Sequence, residues 1–392
     1  MAHVAEAMQA QIVVVGAGLV GAAAALALTQ NGLHVMLVDG QPATSGPTPT
    51  EWDQRIYAIT PGNQRWLDSL GIWQRMDSDR ICKVERMQVW GDDSRSSLTF
   101  DAYEASLPSL GFILEARQLE QALRLRLQEL GVAMLPDSKV EALSFGGEQP
   151  ELVLAGGQTL KAPLIVAADG GNSVVRQYAG LTSMRHAYDE LGVVANFTCA
   201  LPHGRIARQW FQEDGVLAWL PLPGNRISMV WSTRRHEELL SMDEASLCQT
   251  VAAAGANVLG DLRLIGSPAA FPLNLQSTDR LVMPGFVLAG DAAHQVHPLA
   301  GQGVNLGFRD VIQLANTLAE RRPQEALGDL MLLRRYERAR KIDLVAMRHI
   351  THGLHELFGQ PQPLIRRIRN LGLDFTNRQG WLKKQLIKHA TT

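Results

Sequence analysis

The fold is decided by IVVVGAGLVGAAAALALTQNGLHVMLVD, residues 12–39. Ile12 to Val15 read as a buried β-strand, a glycine turn follows, an alanine-rich segment reads as a helix ended by Asn31-Gly32, and a second strand leads to Asp39. Gly16 makes the turn, Gly18 lets a pyrophosphate approach the backbone, and Gly21 lets the helix pack closely on the strand. The helix start offers unpaired N–H groups and the positive end of a dipole to phosphates. Asp39 falls 18 residues after Gly21, where a carboxylate accepts hydrogen bonds from ribose hydroxyls. The stretch therefore predicts a dinucleotide-binding unit and leaves FAD and NAD both open. It also lacks Asp, Glu, Lys and Arg from Ile12 to Val38, as a membrane span would. The glycines break that run into strand, turn and helix, and MAHVAEAMQA has no basic n-region, so neither an anchor nor a signal peptide is expected.

Composition agrees with an ordered, globular chain. At 392 residues it has room for two or three domains, or for one nucleotide-binding domain carrying a large insertion. Apolar residues are 46% and charged residues 19%, against the pattern of disorder. A net charge of -2 supplies no field for nucleic acid, which is not expected as a partner. Cys82, Cys199 and Cys248 are far apart and form no C-x-x-C pair, which suits buried thiols in a reducing compartment.

Two further stretches repeat the strand-then-turn pattern. In LKAPLIVAADGGNSVVRQYAG, residues 160–180, the strand Leu164 to Ala168 delivers Asp169-Gly170-Gly171 to a helix start with Ser173 and Arg176. An ordinary capped turn explains this as well as a ligand does. In GDAAHQVHPLAGQGVNLGFRD, residues 290–310, a strand from Phe286 to Ala289 ends at Gly290-Asp291, and Pro298, Gly301, Gly303 and Gly307 precede or enter a helix whose apolar spacing starts near Val304. Glycines in that number before a helix suggest backbone held against a flat or phosphorylated ligand. His294 and His297 have no Cys or carboxylate at ligand spacing, so they read as packed or hydrogen-bonded histidines and no metal is expected.

In order and wording these motifs resemble the FAD-dependent aromatic hydroxylases of the para-hydroxybenzoate hydroxylase type, the group A flavoprotein monooxygenases. Within them the chain is most similar to the ubiquinone-biosynthesis hydroxylases, the family of UbiH, UbiF, UbiI and their eukaryotic counterpart. The likeness runs through GAGLVG, DQRIYAIT (53–60), LGFILEARQLEQAL (110–123), DGGNSVVR (169–176), VLAWLPL (216–222), SMVWS (228–232) and the 290–310 stretch.

The resemblance implies roles residue by residue. Gly16, Gly18 and Gly21 would hold the FAD pyrophosphate and Asp39 the adenosine ribose. Arg117 would approach the FAD, beside an Ala116 where relatives often carry Asn; Arg55 would lie near the flavin or the substrate mouth, unless it is a surface salt-bridging arginine. Asp169 and Gly170 would serve the pyrophosphate region and NAD(P)H use, with Gly171, in place of the usual Ala, only loosening the turn. Asp291 would bind the ribityl chain, and Pro298, Gly301, Gly303, Val304 and Asn305 would bring backbone against the isoalloxazine ring.

The implied chemistry is flavin chemistry. NAD(P)H reduces FAD, dioxygen adds at C4a, and the hydroperoxide passes OH to an electron-rich ring, in a site kept dry. No side chain is nominated as acid or base; the backbone near Pro298 and Gly301 is the catalytic expectation. The substrate would be a polyprenylated phenol or benzoquinol on the way to ubiquinone. Its tail, at about 0.8 kcal/mol per buried CH₂, calls for a long apolar cavity beneath a sheet that includes LGVVANFTC and RISMVWST.

The implied architecture is α/β, with a Rossmann-like FAD-binding domain built from 9–80, 108–183 and 274–325. A mainly β substrate domain, 184–273, is inserted with help from 81–107, and a helical C-terminal region covers 326–392. Residues 364–388 hold seven Lys or Arg against one Asp, with Trp381, Leu382, Leu386 and Ile387 among them. This run is either a solvated face or a contact with membrane or with a quinone-biosynthesis complex, giving a cytoplasmic protein or one peripheral at the inner membrane. Two rivals stand beside the hydroxylase: an FAD-dependent reductase or dehydrogenase of another apolar substrate, and a flavin-loaded accessory subunit without catalysis.

Overall fold

A computed structural model describes residues 10–42, 51–91, 97–212, 214–295 and 302–359. The predicted βαβ unit is present: β1 (Ile12–Val15), α1 (Leu19–Gln30) and β2 (Val35–Val38). All four residues of each strand are buried, as expected of strands covered on both faces. Helix α1 is apolar nearly all round because it is wedged between the sheet and two other helices, α3 (Ala116–Glu129) and α7 (Gln302–Ala319). Asn31 caps its end, and Gly32 at φ +79° turns the chain into β2.

This unit sits within a six-stranded sheet completed by β8 (Ala133–Leu135), β12 (Leu164–Ala167), β18 (Val282–Met283) and β19 (Phe286–Leu288). The order is β18-β19-β12-β1-β2-β8, parallel throughout except for the β18–β19 hairpin. Its largest hydrophobic core extends to α8 (Leu330–Gly359), through Leu332, Leu333 and Tyr336, whose hydroxyl donates to the Leu288 carbonyl at 2.8 Å. Each fully buried side chain of this size contributes about 1.5–3 kcal/mol.

A small antiparallel sheet joins β3 (Ile56–Ile59), β7 (Gly111–Glu115) and β4 (Cys82–Val84). Thr60 accepts from Asn63 N–H and caps α2 (Pro61–Ser69), which has Pro61 at its first position. A three-stranded flap contains β9 (Val140–Ser144), β10 (Glu151–Leu154) and β11 (Thr159–Lys161). The short helix α4 (Val174–Tyr178) follows β12.

The second large layer is an eight-stranded sheet in the order β20-β17-β13-β16-β15-β14-β5-β6. It is made of β5 (Arg86–Trp90), β6 (Ser97–Asp101), β13 (Ser183–Cys199), β14 (Ile206–Gln212), β15 (Gly215–Leu222), β16 (Arg226–Thr233), β17 (Leu262–Thr278) and β20 (His294–Gln295). Strands β13 and β17 are 17 residues each, so this sheet takes in Ser183 and runs on to Thr278 before meeting β20. Helices α5 (His236–Ser241) and α6 (Glu244–Ala254) cover one face through Leu239, Leu247, Cys248 and Val251. Trp90 stacks on Trp210 at 5.0 Å, and Trp210 meets Trp219 edge-on at 4.8 Å.

Candidate functional site

The order β19-β12-β1-β2 brings four sequence motifs to one edge. These strands are parallel neighbours, so their carboxyl ends lie side by side: Asp291 follows β19, Asp169 follows β12, the glycine turn follows β1, and Asp39 follows β2. Such an edge is where open α/β sheets take ligands.

The glycine turn is dictated by space. Gly16 has φ +101°, and a Cβ there would overlap the Ala168 carbonyl. A Cβ on Gly21 would run into the Gly16 carbonyl oxygen, so helix and turn touch backbone to backbone. Gly18 is different: nothing lies within 4 Å of where its Cβ would be. It begins α1 with no side-chain cap and no acid in the first turn, leaving the helix N-terminus open to an anion. Asp39 ties this turn down, its Oδ2 accepting Ala17 N–H at 2.8 Å and its Oδ1 Gln41 N–H at 2.9 Å; each oxygen keeps a lone pair for a ribose hydroxyl.

Asp169 caps α4, with Oδ2 accepting from Val174 N–H (2.9 Å) and Val175 N–H (3.2 Å). Its Oδ1 is buried and has no partner among the described residues, an acceptor awaiting a donor. Gly170, at φ +86°, makes the turn. Buried Arg176 then clamps two loops together, donating to the Ala292 carbonyl at 2.7 Å and the Gly171 carbonyl at 3.0 Å.

The 290–310 stretch divides between ligand face and support. Asp291 meets solvent on one side, yet protein crowds it enough that burial raises its carboxyl above the usual range. Gly290 N–H donates to Asp310 Oδ2 at 2.8 Å. That carboxylate is wholly buried and also takes His294 Nε2 at 2.7 Å and Arg340 Nε at 2.6 Å. Gly307 lets α7 rest on Val20 of α1, while the Cβ position of Gly303 faces open space. The side chains of Val304 and Asn305 are buried in the core, which leaves their backbone as the part expected to meet a ring. Asn305 accepts from Thr60 N–H (3.0 Å) and Asn63 Nδ2 (2.9 Å) and donates to the Ala58 carbonyl (2.7 Å), holding β3 to α7. Pro298, Gly301 and His297 lie outside the described residues.

Arg55 and Arg117 line a cleft of about 610 Å³ with Trp52, Asp53, Ile265, Gly266 and Phe271, between the segment leading into β3, the start of α3, and β17. Arg55 is half exposed and paired with Glu120 at 3.2 Å; Arg117 is held by Asp53, its N–H at 3.0 Å and its Nε at 3.4 Å from Oδ2. The cleft has charged and apolar walls. Charged groups gather here because Asp53 ties the small antiparallel sheet to the eight-stranded one: its N–H donates to Glu115 of β7 (2.7 Å), and its carbonyl accepts from Asn196 of β13 (3.0 Å). Glu115 is gripped by Arg80, which lies 4.4 Å over the Trp52 ring.

Tyr57, Asp310, Arg340 and Gln295 were missed in the sequence. Burial raises the Tyr57 hydroxyl, with Arg55 opposing and Asp291 adding, which places the three in one electrostatic neighbourhood. Tyr57 sits in DQRIYAIT and Asp310 in NLGFRD, motifs that name the region without naming the contact. Among the described residues no group of three His, Cys, Asp or Glu could hold a metal.

An open helix N-terminus, a partnerless Asp169 oxygen and a solvent-facing Asp291 fit the phosphates, ribose and ribityl hydroxyls of a flavin dinucleotide. A family model described as FAD binding domain matches residues 9–349. The chain is 35% identical over 384 residues to 3-demethoxyubiquinol 3-hydroxylase of Escherichia coli K12, covering 97% of this chain and 98% of that one. It belongs to the FAD-dependent ubiquinone-biosynthesis hydroxylases. Ubiquinone hydroxylase UbiL of Rhodospirillum rubrum is 34% identical to this hydroxylase, over 97% of it and 89% of the relative. Among solved structures, p-nitrophenol 4-monooxygenase PnpA of Pseudomonas putida DLL-E4 shares the fold, with a TM-score of 0.77 at 18% identity over 97% of both chains. The hydroxylase is thus an FAD-dependent monooxygenase with the para-hydroxybenzoate hydroxylase-like fold.

Proposed function

We propose that this hydroxylase adds oxygen to the aromatic ring of a polyprenylated phenol or benzoquinol intermediate of ubiquinone synthesis, using FAD, NAD(P)H and dioxygen. The observation that carries the reading is the gathering of Gly18, Asp39, Asp169 and Asp291 at one edge of four adjacent parallel strands. Bound FAD supplies reducing equivalents and activates dioxygen. The protein's share is placement: the α1 N-terminus holds the pyrophosphate, Asp39 a ribose, Asp169 the neighbouring polar groups, and Asp291 the ribityl hydroxyls. Gly303, open on its Cβ side, leaves α7 free to present backbone N–H groups to a flat ring. Glu115, paired with Arg80, fixes the backbone of Asp53 in the cleft wall.

The division of labour we propose gives 9–80, 108–183 and 274–325 to the flavin, 184–273 with 81–107 to the substrate, and 326–392 to a helical tail. Among the described residues no helix is long and apolar enough to cross a membrane. Exposed Ile342 and Val345 on α8, together with the basic, Trp-containing run 364–388, support contact with an anionic membrane surface or a partner complex, from which a lipid-tailed ring would be drawn.

The test is to express the chain in a strain lacking a ubiquinone-pathway hydroxylase and profile its quinone intermediates by mass spectrometry. Disappearance of the intermediate short of one ring oxygen, with one dioxygen consumed per product, is the expected result. A yellow protein that changes no intermediate and takes up no oxygen would move the reductase or accessory reading ahead.

A further inference from the structure

Gly171 poses a question its backbone does not answer. Unlike Gly16, Gly170 and Gly290, it has no positive φ, so any residue could adopt its conformation. The glycine is there for room, and the room is taken: the three atoms nearest to a Cβ at 171 would all belong to the side-chain amide of Gln295. The sequence expectation that Gly171 only loosens its turn is thereby corrected.

Gln295 has its main chain fixed. It lies in β20, paired with Gln276 of β17, and Gln276 in turn donates to the Asp291 carbonyl at 3.4 Å. From that anchored backbone the Gln295 amide crosses to the Gly171 loop and points Nε2 at Asp291 Oδ2, 3.5 Å away. Arg176 holds the same two loops together from the buried side. The amide is therefore confined between the carboxyl ends of β12 and β19 and aimed at the carboxylate that faces the flavin.

We infer that Gln295 is a positioning residue for the flavin, holding the Asp291 carboxylate in its binding orientation, and that Gly171 is the glycine that admits it. The inference rests on the reading of Asp291 as a flavin contact. The first atoms a methyl group at 171 meets are the flexible end of Gln295, which can give way without moving backbone, so the fold survives, but the amide swings away from Asp291. Gly171→Ala and Gln295→Ala thus remove the same interaction by different routes.

The experiment titrates FAD into apo-protein and follows quenching of flavin fluorescence, with thermal midpoints of the apo-proteins as the folding control. Gly171→Ala and Gln295→Ala should each raise the FAD Kd about threefold to tenfold, the range for one lost hydrogen bond, with unchanged apo midpoints. The double variant should bind no more weakly than either single one. Gln295→Glu keeps the volume but offers no donor near pH 8 and adds a like charge beside Asp291, so it should bind FAD no more tightly than Gln295→Ala; a mere space-filler would be rescued by it. If Gln295→Ala binds like wild type, or the double variant shows the product of the two effects, the inference is overturned while the flavin site stands. A wild-type protein that takes up no FAD overturns the flavin site itself.

Discussion

Asp310→Asn tests the support beneath the flavin loop. Asp310 is completely buried and accepts three hydrogen bonds, from Gly290 N–H, His294 Nε2 and Arg340 Nε. An Asn offers one acceptor oxygen and turns an NH₂ toward donors. Arg340, itself only 3% exposed, is left with Asp343, 2.5 Å away and 47% exposed, as its remaining counter-ion. Breaking one side of a buried ion pair costs about 3–5 kcal/mol, which is a fifth or more of an ordinary stability of about 5–15 kcal/mol. Urea unfolding of apo-protein at pH 7, followed by tryptophan fluorescence, should show that loss. Asp310→Asn with Arg340→Met should be less unstable than Asp310→Asn alone, because no buried charge is then stranded. The pH dependence fixes the sign. Burial pushes the Asp310 carboxyl up, but His294 and Arg340 outweigh it and hold it below the usual range. Its stabilisation is therefore complete above the unfolded value of about 3.9 and fades as pH falls through the lower folded value. The gap between wild type and variant should be constant from about pH 5 to 8 and narrow only below about pH 4. A loss under about 1 kcal/mol, or a gap that closes near neutrality, would refute the reasoning.

Three other outcomes follow from the geometry. Asp291→Ala should weaken FAD binding about 10- to 150-fold, the worth of a hydrogen bond to a charged group, and equilibrium dialysis showing wild-type affinity would remove Asp291 from the site. Gly21→Ala drives a methyl into the Gly16 carbonyl, so it should cost about 1–3 kcal/mol or more and yield a colourless protein; a yellow variant with the wild-type thermal midpoint would contradict the close approach. Burial pushes the Cys82 and Cys199 thiols up to about 11, so native protein at pH 8 should resist iodoacetamide at both, and rapid labelling detected by mass spectrometry would contradict their burial.

The parts of the site readable in advance were those fixed by local chain geometry. Gly16, Gly18 and Gly21 are spaced by the turn and helix they serve, and Asp39, Asp169 and Asp291 each follow an apolar strand, so a linear reading finds them. The parts it could not reach depend on which elements come to lie side by side. Nothing in NLGFRD says that Asp310 will meet an arginine 30 residues later, or that Asn305 will turn inward to serve Thr60 and Asn63. Glycine is ambiguous in the same way: Gly170 answers to φ and Gly171 to a neighbour 124 positions away, and only coordinates separate the two. The cleft beside Arg55 and Arg117 was not legible either, because Asp53, Arg117 and Gly266 that line it come from three separated segments.

The strand order has a consequence for how the protein is made. Strand β12 lies between β1, already synthesised, and β19, which begins at Phe286. While a ribosome makes the intervening residues, at about 5–20 per second, the growing chain carries an apolar parallel strand with one side unpaired. On the order of ten seconds pass before Asp291, and then Asp310 and Arg340, arrive to finish the cofactor's seat. On the proposed site, flavin acquisition is a late event, reserved for a nearly complete polypeptide. A truncated product ending before β19 has the nucleotide motif but lacks Asp291 and its support, and its open edge is the surface that chaperones and proteases would find first.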